Sequence, residues 1–262
     1  MIFQAWAGTD IGKHRVVNED CYLVDEETGL ILVLDGMGGH VAGEVASHLA
    51  METISAFYRR YSGSRIKEIP VAETYDQAFS YQSNLLQRAV LEANRVVLEK
   101  SLENQQLSGM GTTVAGMAIR DFTASAINVG DSRIYLIRDN NIEQISVDHT
   151  LAEDQVGAGA MTPEEADDSE LKHVLSSVLG VDSEVQVHMD ELSILAGDLF
   201  LMCTDGLTAV MKDEEILDTV MKEEIGPETI QRLIERVNVR GGPDNVTVAL
   251  ITVHGGNAAQ TG

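Results

Sequence analysis

Four times along this chain an apolar or β-forming run stops at, or starts from, an aspartate with glycine or asparagine beside it. Leu30-Ile-Leu-Val-Leu34 runs straight into Asp35-Gly36, Val129 into Gly130-Asp131, and Cys203 through Thr204 into Asp205-Gly206. Asp244-Asn245 stands at the start of the alternating run 245–253. A carboxylate at a strand end lies on the rim of a sheet, partly out of water, and several there together repel one another. Cations relieve that repulsion, and a set of carboxylates, a carbonyl and waters suits hard divalent ions such as Mg²⁺ or Mn²⁺. One Asp-Gly pair is an ordinary turn. The repetition at strand boundaries is what constrains this chain.

The remaining pattern places those strands in layers. Residues 123–129, 133–138 and 142–145 read as a meander, with turn formers at 130–132 and 139–141. Leu199-Phe-Leu-Met-Cys203 is a further apolar strand. Helical spacing of apolar residues predicts helices over 43–58, 75–100, 213–221 and 227–237, the last with Pro227 in its first turn. Strand blocks separated by paired helices, without a βαβ rhythm, predict an α+β layered domain of mainly antiparallel sheet. Residues 59–74 read as a connector, and the small polar tail 255–262 as a frayed end.

Composition narrows the function. With 44% hydrophobic residues the chain can bury a real core, which excludes a disordered protein. A formal charge of −24 repels a nucleic-acid backbone, so a DNA- or RNA-binding module is not expected. Two cysteines, Cys21 and Cys203, cannot build a disulfide framework or a zinc site, and in apolar stretches they read as buried thiols. The N-terminal residues lack a basic region followed by an apolar core. The longest apolar run, Leu30–Leu34, is far shorter than the roughly 20 residues of a membrane helix. A soluble cytoplasmic protein is expected.

A second signal lies upstream, where Arg15-x-x-Asn18-Glu19-Asp20 sets a guanidinium and two acids on a short extended stretch. Arginine offers a planar fork for two phosphate oxygens, and the same stretch alone also fits a surface salt-bridge cluster. Further motifs follow in order. They are Asp35-Gly-Met-Gly-Gly-His40 with Gly43-Glu44 and Ala46-Ser47, Gly111-Thr-Thr113, and Asn128-Val-Gly-Asp-Ser-Arg133. Then come Asp148-His149, Thr204-Asp-Gly-Leu207 and Gly242-Pro-Asp-Asn245. The ordered set, spanning 8–253, resembles the bacterial form of the PP2C (PPM) family of metal-dependent protein serine/threonine phosphatases. That resemblance implies one domain over 1–254, a four-layer αββα sandwich of two mainly antiparallel sheets flanked by helices, with a mobile flap over 149–179.

The resemblance also implies roles. Asp35 bridges two Mn²⁺ or Mg²⁺ ions, the Gly36 carbonyl binds one, and Asp205 and Asp244 complete the first ion's shell. Glu19 and Asp20 act through metal-bound waters, Arg15 holds the phosphate, and Asp131 holds a third, weakly bound ion. Two close divalent ions lower the pKa of water, so hydroxide attacks phosphorus in line with no phosphoenzyme and no catalytic thiol. Where eukaryotic relatives carry a histidine after Asp-Gly, this chain has Met37. His40 is one source of the leaving group's proton, with a purely structural His40 and a water donor as the alternatives. Asp131 also reads as a plain turn residue. The region ending Leu179-Gly180 carries His173-Val-Leu-Ser-Ser in place of the arginine-containing stretch of many relatives. Expected partners are phosphorylated proteins, Ser/Thr kinases and their substrates among them, with no nucleic acid, no membrane and a monomeric chain. Two other functions stay open: a regulatory module that binds phosphoproteins without turnover, and a hydrolase of small phosphoesters.

Overall fold

A computed structural model describes residues 2–38, 41–63, 75–222 and 224–255 of the chain. Its strands are β1 (Ile2–Asp10), β2 (Cys21–Asp25), β3 (Leu30–Leu34), β4 (Gly36–Met37), β5 (Gly111–Thr112) and β6 (Val114–Arg120). After these come β7 (Thr123–Val129), β8 (Arg133–Arg138), β9 (Asn141–Gln144), β10 (His188–Ser193), β11 (Leu199–Cys203) and β12 (Val246–His254). Two antiparallel five-stranded sheets result, ordered β1-β12-β11-β8-β9 and β10-β7-β6-β3-β2, with β4 and β5 as a small separate pair. The helices are α1 (Val41–Tyr61), α2 (Tyr81–Glu103), α3 (Leu151–Gly157), α4 (Pro163–Asp167), α5 (Asp205–Thr208), α6 (Asp213–Met221) and α7 (Pro227–Val239).

The unbroken apolar runs have a simple cause: both faces of these strands are buried. In β3, Leu30, Leu32 and Leu34 face α1 and α2, while Ile31 and Val33 face the other sheet. In β11, Phe200 and Met202 point between the sheets, and Leu199, Leu201 and Cys203 point to α6 and α7. β12 divides the same way, Ala249, Ile251 and Val253 inward against Val246, Val248 and Leu250 outward. Period-two alternation thus sorts one strand's side chains into two cores. The four-layer αββα architecture expected from the sequence is the one found.

Two expectations need correction. The stretch 123–145 is not one meander: β7 and β8 belong to different sheets, and only β8 and β9 form a hairpin. Residues 130–132 therefore cross between sheets. The second helix starts at Tyr81, capped by the Ser80 side chain, which accepts from the Ser83 amide. Upstream, Asp76 accepts from the Ala78 amide and the Asn84 side chain accepts from the Asp76 amide, so local side-chain bonds compete with helix over 75–80. The segment 149–179 carries α3, α4 and a short 3-10 turn, Glu170–His173. The tail beyond 255 and most of the 59–74 connector lie outside the described residues.

Helix α1 meets its sheet with a stripe of Ala42, Ala46, Ala50, Ile54 and Tyr58, all buried and four residues apart. The stripe is smallest at the N-terminal end, where the backbones nearly touch. A Cβ on Gly36 would lie 2.2 Å from the Gly43 carbonyl oxygen, and one on Gly43 would lie 2.4 Å from Glu19 Oε1. Only glycine allows that approach, and it brings the helix start against the strand end carrying Asp35.

Candidate active site

Antiparallel pairing determines where the aspartates go. The end of one strand and the start of its neighbour share an edge, so Cys21 pairs with Leu34, and Cys203 with Val248. Hence Asp20 before β2 and Asp35 after β3 share one edge, and Asp205 after β11 and Asp244 before β12 share another. With the β7–β8 crossover these edges form one end of the sandwich. There Arg15, Glu19, Asp35, Gly36, Asp131, Asp205 and Asp244 line a single cavity of about 230 Å³. Sequence reasoning scattered these seven over 230 positions, and the fold gathers them.

Asp20 does not line the cavity; it is buried behind the wall. Its Oδ2 accepts from the Thr204 and Thr247 hydroxyls at 2.9 and 2.8 Å. Glu19 is fixed by its backbone: its amide donates to Asn245 Oδ1 at 2.9 Å, and its carbonyl accepts from Ser47 Oγ and the Gly36 amide. The Asn245 amide group donates onward to the Ile11 and Val17 carbonyls, which shapes the loop bearing Arg15. Asp35 is clamped by its neighbours, its amide donating to Thr113 Oγ1 and its carbonyl accepting from Thr112 Oγ1 and the Thr113 amide. Thr113, Thr204 and Asn245 stood inside motifs without a role; the structure makes them the frame. His40 lies outside the described residues.

The Asp131 turn is braced from below. Gly130 has φ +92°, its amide donates to His149 Nδ1 and its carbonyl accepts from the His149 amide. Arg133 grips Asp148 with Nε and Nη2 donating at 2.8–3.1 Å, and Asn128 Nδ2 donates to the Val147 carbonyl at 2.6 Å. Asp148 and His149 thus hold the crossover that presents Asp131.

Charge is poorly balanced in this cavity. Burial, then Asp20, Asp205, Asp131 and Asp244, push Asp35 well above the usual carboxylate range. Burial together with Asp205 and Asp148 pushes Asp131 up to about 7. Burial raises Asp20 to about 7 despite the two threonines, and burial with Asp244 raises Asp205. One oxygen each of Asp20 and Asp205 is buried without a hydrogen-bond partner. Arg15 forms a direct ion pair with Asp244, its Nη2 donating to Oδ2 at 2.6 Å.

An all-oxygen donor set, mutually repelling and with partnerless buried oxygens, fits hard divalent cations in kind and in charge. Among the described residues no three His, Cys, Asp or Glu side chains are already gathered around one point. Asp244 is turned to Arg15 and Asp20 to its threonines, so closing on an ion requires side-chain rotation. The thiols are elsewhere: Cys21 and Cys203 are buried, line neither cavity wall, and burial raises both, Cys21 to about 12. Among the described residues no helix is long and apolar enough to cross a membrane.

Known proteins share this fold. The family described as protein phosphatase 2C matches residues 8–238. The serine/threonine phosphatase stp of Listeria welshimeri is 31% identical over 246 residues, 93% of either chain. The crystal structure of the Mycobacterium tuberculosis serine/threonine phosphatase PstP superposes with a TM-score of 0.83 at 31% identity, covering 97% of this chain and 100% of that one. The catalytic domain of PstP in complex with two manganese ions gives 0.80 at 32% identity, over 97% and 99% of the two chains.

Proposed function

Because the chain belongs to the protein phosphatase 2C family, we propose that its carboxylate-walled cavity hydrolyses phosphoserine and phosphothreonine in proteins, using divalent cations held by its strand-end aspartates. The observation that carries this is the convergence of Asp35, Asp131, Asp205 and Asp244 from separate strand ends around one guanidinium.

Asp35, the Gly36 carbonyl, Asp205 and Asp244 would hold the core ions, and Asp131, on the same cavity wall, a further, loosely bound one. Bound Mn²⁺ or Mg²⁺ supplies positive charge and a water acidic enough to attack phosphorus at neutral pH. The chain's own residues do the rest. Glu19, fixed by Asn245 and Ser47, would orient water around the ions, while Asp20, held behind the wall by Thr204 and Thr247, would add its negative charge to the site. Arg15, on the cavity wall beside Asp244, would take two oxygens of the phosphate dianion with its fork. No side chain forms a bond to phosphorus. The substrates include phosphorylated Ser/Thr kinases and their targets, and the enzyme works as a monomer in the cytoplasm.

The test is phosphate release from phosphoserine, phosphothreonine and phosphotyrosine peptides with Mn²⁺, with Mg²⁺ and with EDTA. Release from the first two, requiring metal and abolished by chelation, is expected. Undiminished release after exhaustive chelation would overturn the reading.

A further inference from the structure

An alkoxide is a poor leaving group. When water adds to phosphorus and the bond to a serine or threonine oxygen breaks, that oxygen needs a proton in the same step. The donor must stand on the side away from the attacking water. Here the strand-end carboxylates form the floor, and the peptide enters from the open side, so the leaving oxygen faces the rim.

The 151–179 segment contributes His173 and Leu175 to the wall of this cavity, beside Met37 and Gly38 from the other side of the chain, and so delivers one imidazole. His173, the last residue of the 3-10 turn Glu170–His173, lines the carboxylate cavity beside Leu175. It also lines the adjoining larger groove of about 1150 Å³ that runs beneath α3 and α4. The two spaces share Asp131, His173 and Asp205, so His173 stands where the site opens toward the protein surface. Among the described residues it is the only histidine on the wall of the carboxylate cavity.

Its backbone is tied to the catalytic floor. The Leu151 amide donates to the Val174 carbonyl and the Ser176 amide to the His149 carbonyl, while Thr150 bridges to Leu175. His149 in turn braces Gly130 beside Asp131. Farther on, Leu179 exchanges both backbone hydrogen bonds with Thr112, whose hydroxyl donates to the Asp35 carbonyl. The turn bearing His173 is therefore registered against Asp35 and Asp131 although it belongs to the outer segment.

The other non-carboxylate side-chain donors on this wall are engaged. Arg15 keeps its protons at any physiological pH. The Thr113 hydroxyl is shared between Ser132 Oγ and the Asp35 amide, and the Asn245 amide donates to two carbonyls. The carboxylates serve as acceptors and cation ligands.

We infer that His173 is the general acid that protonates the serine or threonine oxygen as it leaves phosphorus. This rests on the phosphatase reading above. In the step, the water oxygen–phosphorus bond forms as the phosphorus–Oγ bond breaks, and the imidazolium N–H passes its proton to Oγ. The free hydroxyl departs, one proton of the attacking water is lost to solvent, and solvent reprotonates the imidazole. No oxidant or further reactant is needed.

The test exploits the leaving group. A phosphothreonine peptide expels an alkoxide that needs a proton, whereas p-nitrophenyl phosphate expels a phenolate stable without one. His173→Gln, at an exposed position, should lower kcat on the peptide about 100-fold and on the aryl ester less than about threefold, at saturating Mn²⁺. Imidazole in solution should restore part of the peptide activity of His173→Ala. Equal losses on both substrates, or no loss on the peptide, would overturn the inference. So would the same peptide-selective loss in His40→Gln with His173→Gln unaffected. A wild-type enzyme inactive on both substrates with Mn²⁺ would instead remove the phosphatase reading, and this inference with it.

Discussion

Arg15 separates two physical meanings of one contact. In the cavity its Nη2 donates to Asp244 Oδ2 at 2.6 Å, with the two side chains 49% and 30% exposed. An ion pair that wet contributes about 0–1 kcal/mol to folding, since water screens it and two side chains must be ordered to make it. For a domain of this size that is a melting shift of at most about 4 °C. A guanidinium gripping a phosphate dianion through charge-assisted bonds in a cavity contributes more, about 1.5–3 kcal/mol. At 1.4 kcal/mol per tenfold, Arg15→Ala should therefore lower kcat/KM about 10- to 100-fold, with KM rising because the grip exists in the bound substrate too. Arg15→Lys should recover part of the loss, as a point charge cannot reproduce the fork. The assay is steady-state hydrolysis of a phosphothreonine peptide beside thermal melting of the same preparations. A variant that melts several degrees lower yet keeps wild-type kcat/KM would make the Asp244 pair the residue's whole purpose and refute the phosphate assignment.

Asp205→Asn keeps the shape of its cavity wall and removes a charge, so kcat should fall at least about 100-fold; normal turnover and metal content would move the site elsewhere. Asp131→Ala should lower turnover while the fold and the core ions persist, and normal turnover with a lower melting temperature would leave Asp131 a crossover residue only. Adding Mn²⁺ to chelated protein should raise its melting temperature, by about 2.7 kcal/mol of stabilisation per site at a hundredfold excess over Kd, and Asp35→Asn should abolish most of that shift. Away from the site, burial opposes ionisation of Asp25, but Thr28 and Arg59 outweigh it and hold the carboxyl below its usual range. A depressed carboxylate stabilises the fold above its unfolded pKa near 4 and ceases to as pH falls through the folded value. The melting difference between wild type and Arg59→Ala should thus be largest near neutrality and close below about pH 4; a gap constant with pH would contradict it.

What could be read from the sequence was whatever one strand determines by itself. Leu30–Leu34 and Leu199–Cys203 carry apolar residues on both faces, so they had to lie inside a layered stack, and the aspartates ending them had to lie on its rim. Which strands are partners is a different kind of information. Val129-Gly130-Asp131-Ser132-Arg133 looks the same whether the turn closes a hairpin or crosses between sheets. The φ of +92° at Gly130 and the His149 brace that decide it depend on residues 19 positions away. β1, β6 and β10 were illegible for composition: β6 is small-residue rich around Gly116, and β10 is a half-buried edge strand carrying Asp190 and Glu191. The site residues were legible as types, because chemistry restricts which side chains can serve. The Arg15–Asp244 pair joins residues 229 apart through a loop shaped by Asn245, and no local pattern encodes it.

The floor and the rim of this cavity obey different constraints. The floor carboxylates oppose the fold that gathers them, since burial and mutual repulsion lift Asp20, Asp35, Asp131 and Asp205 alike. Such a cluster persists only on strands that cannot relax, and two-sided burial of β3, β11 and β12 supplies that rigidity. The rim rests on short helices that expose most of their residues and meet the body through a few backbone bonds at 149–151, 174–176 and 179. Substitutions in those short helices touch none of the three core clusters, whereas a substitution at Asp35 or Gly36 perturbs strand, helix and ion site at once. Attack on phosphorus is therefore committed to the sheets. Delivery of the proton, and the fit of the polypeptide that carries the phosphate, fall to the segment that can change without unfolding the rest.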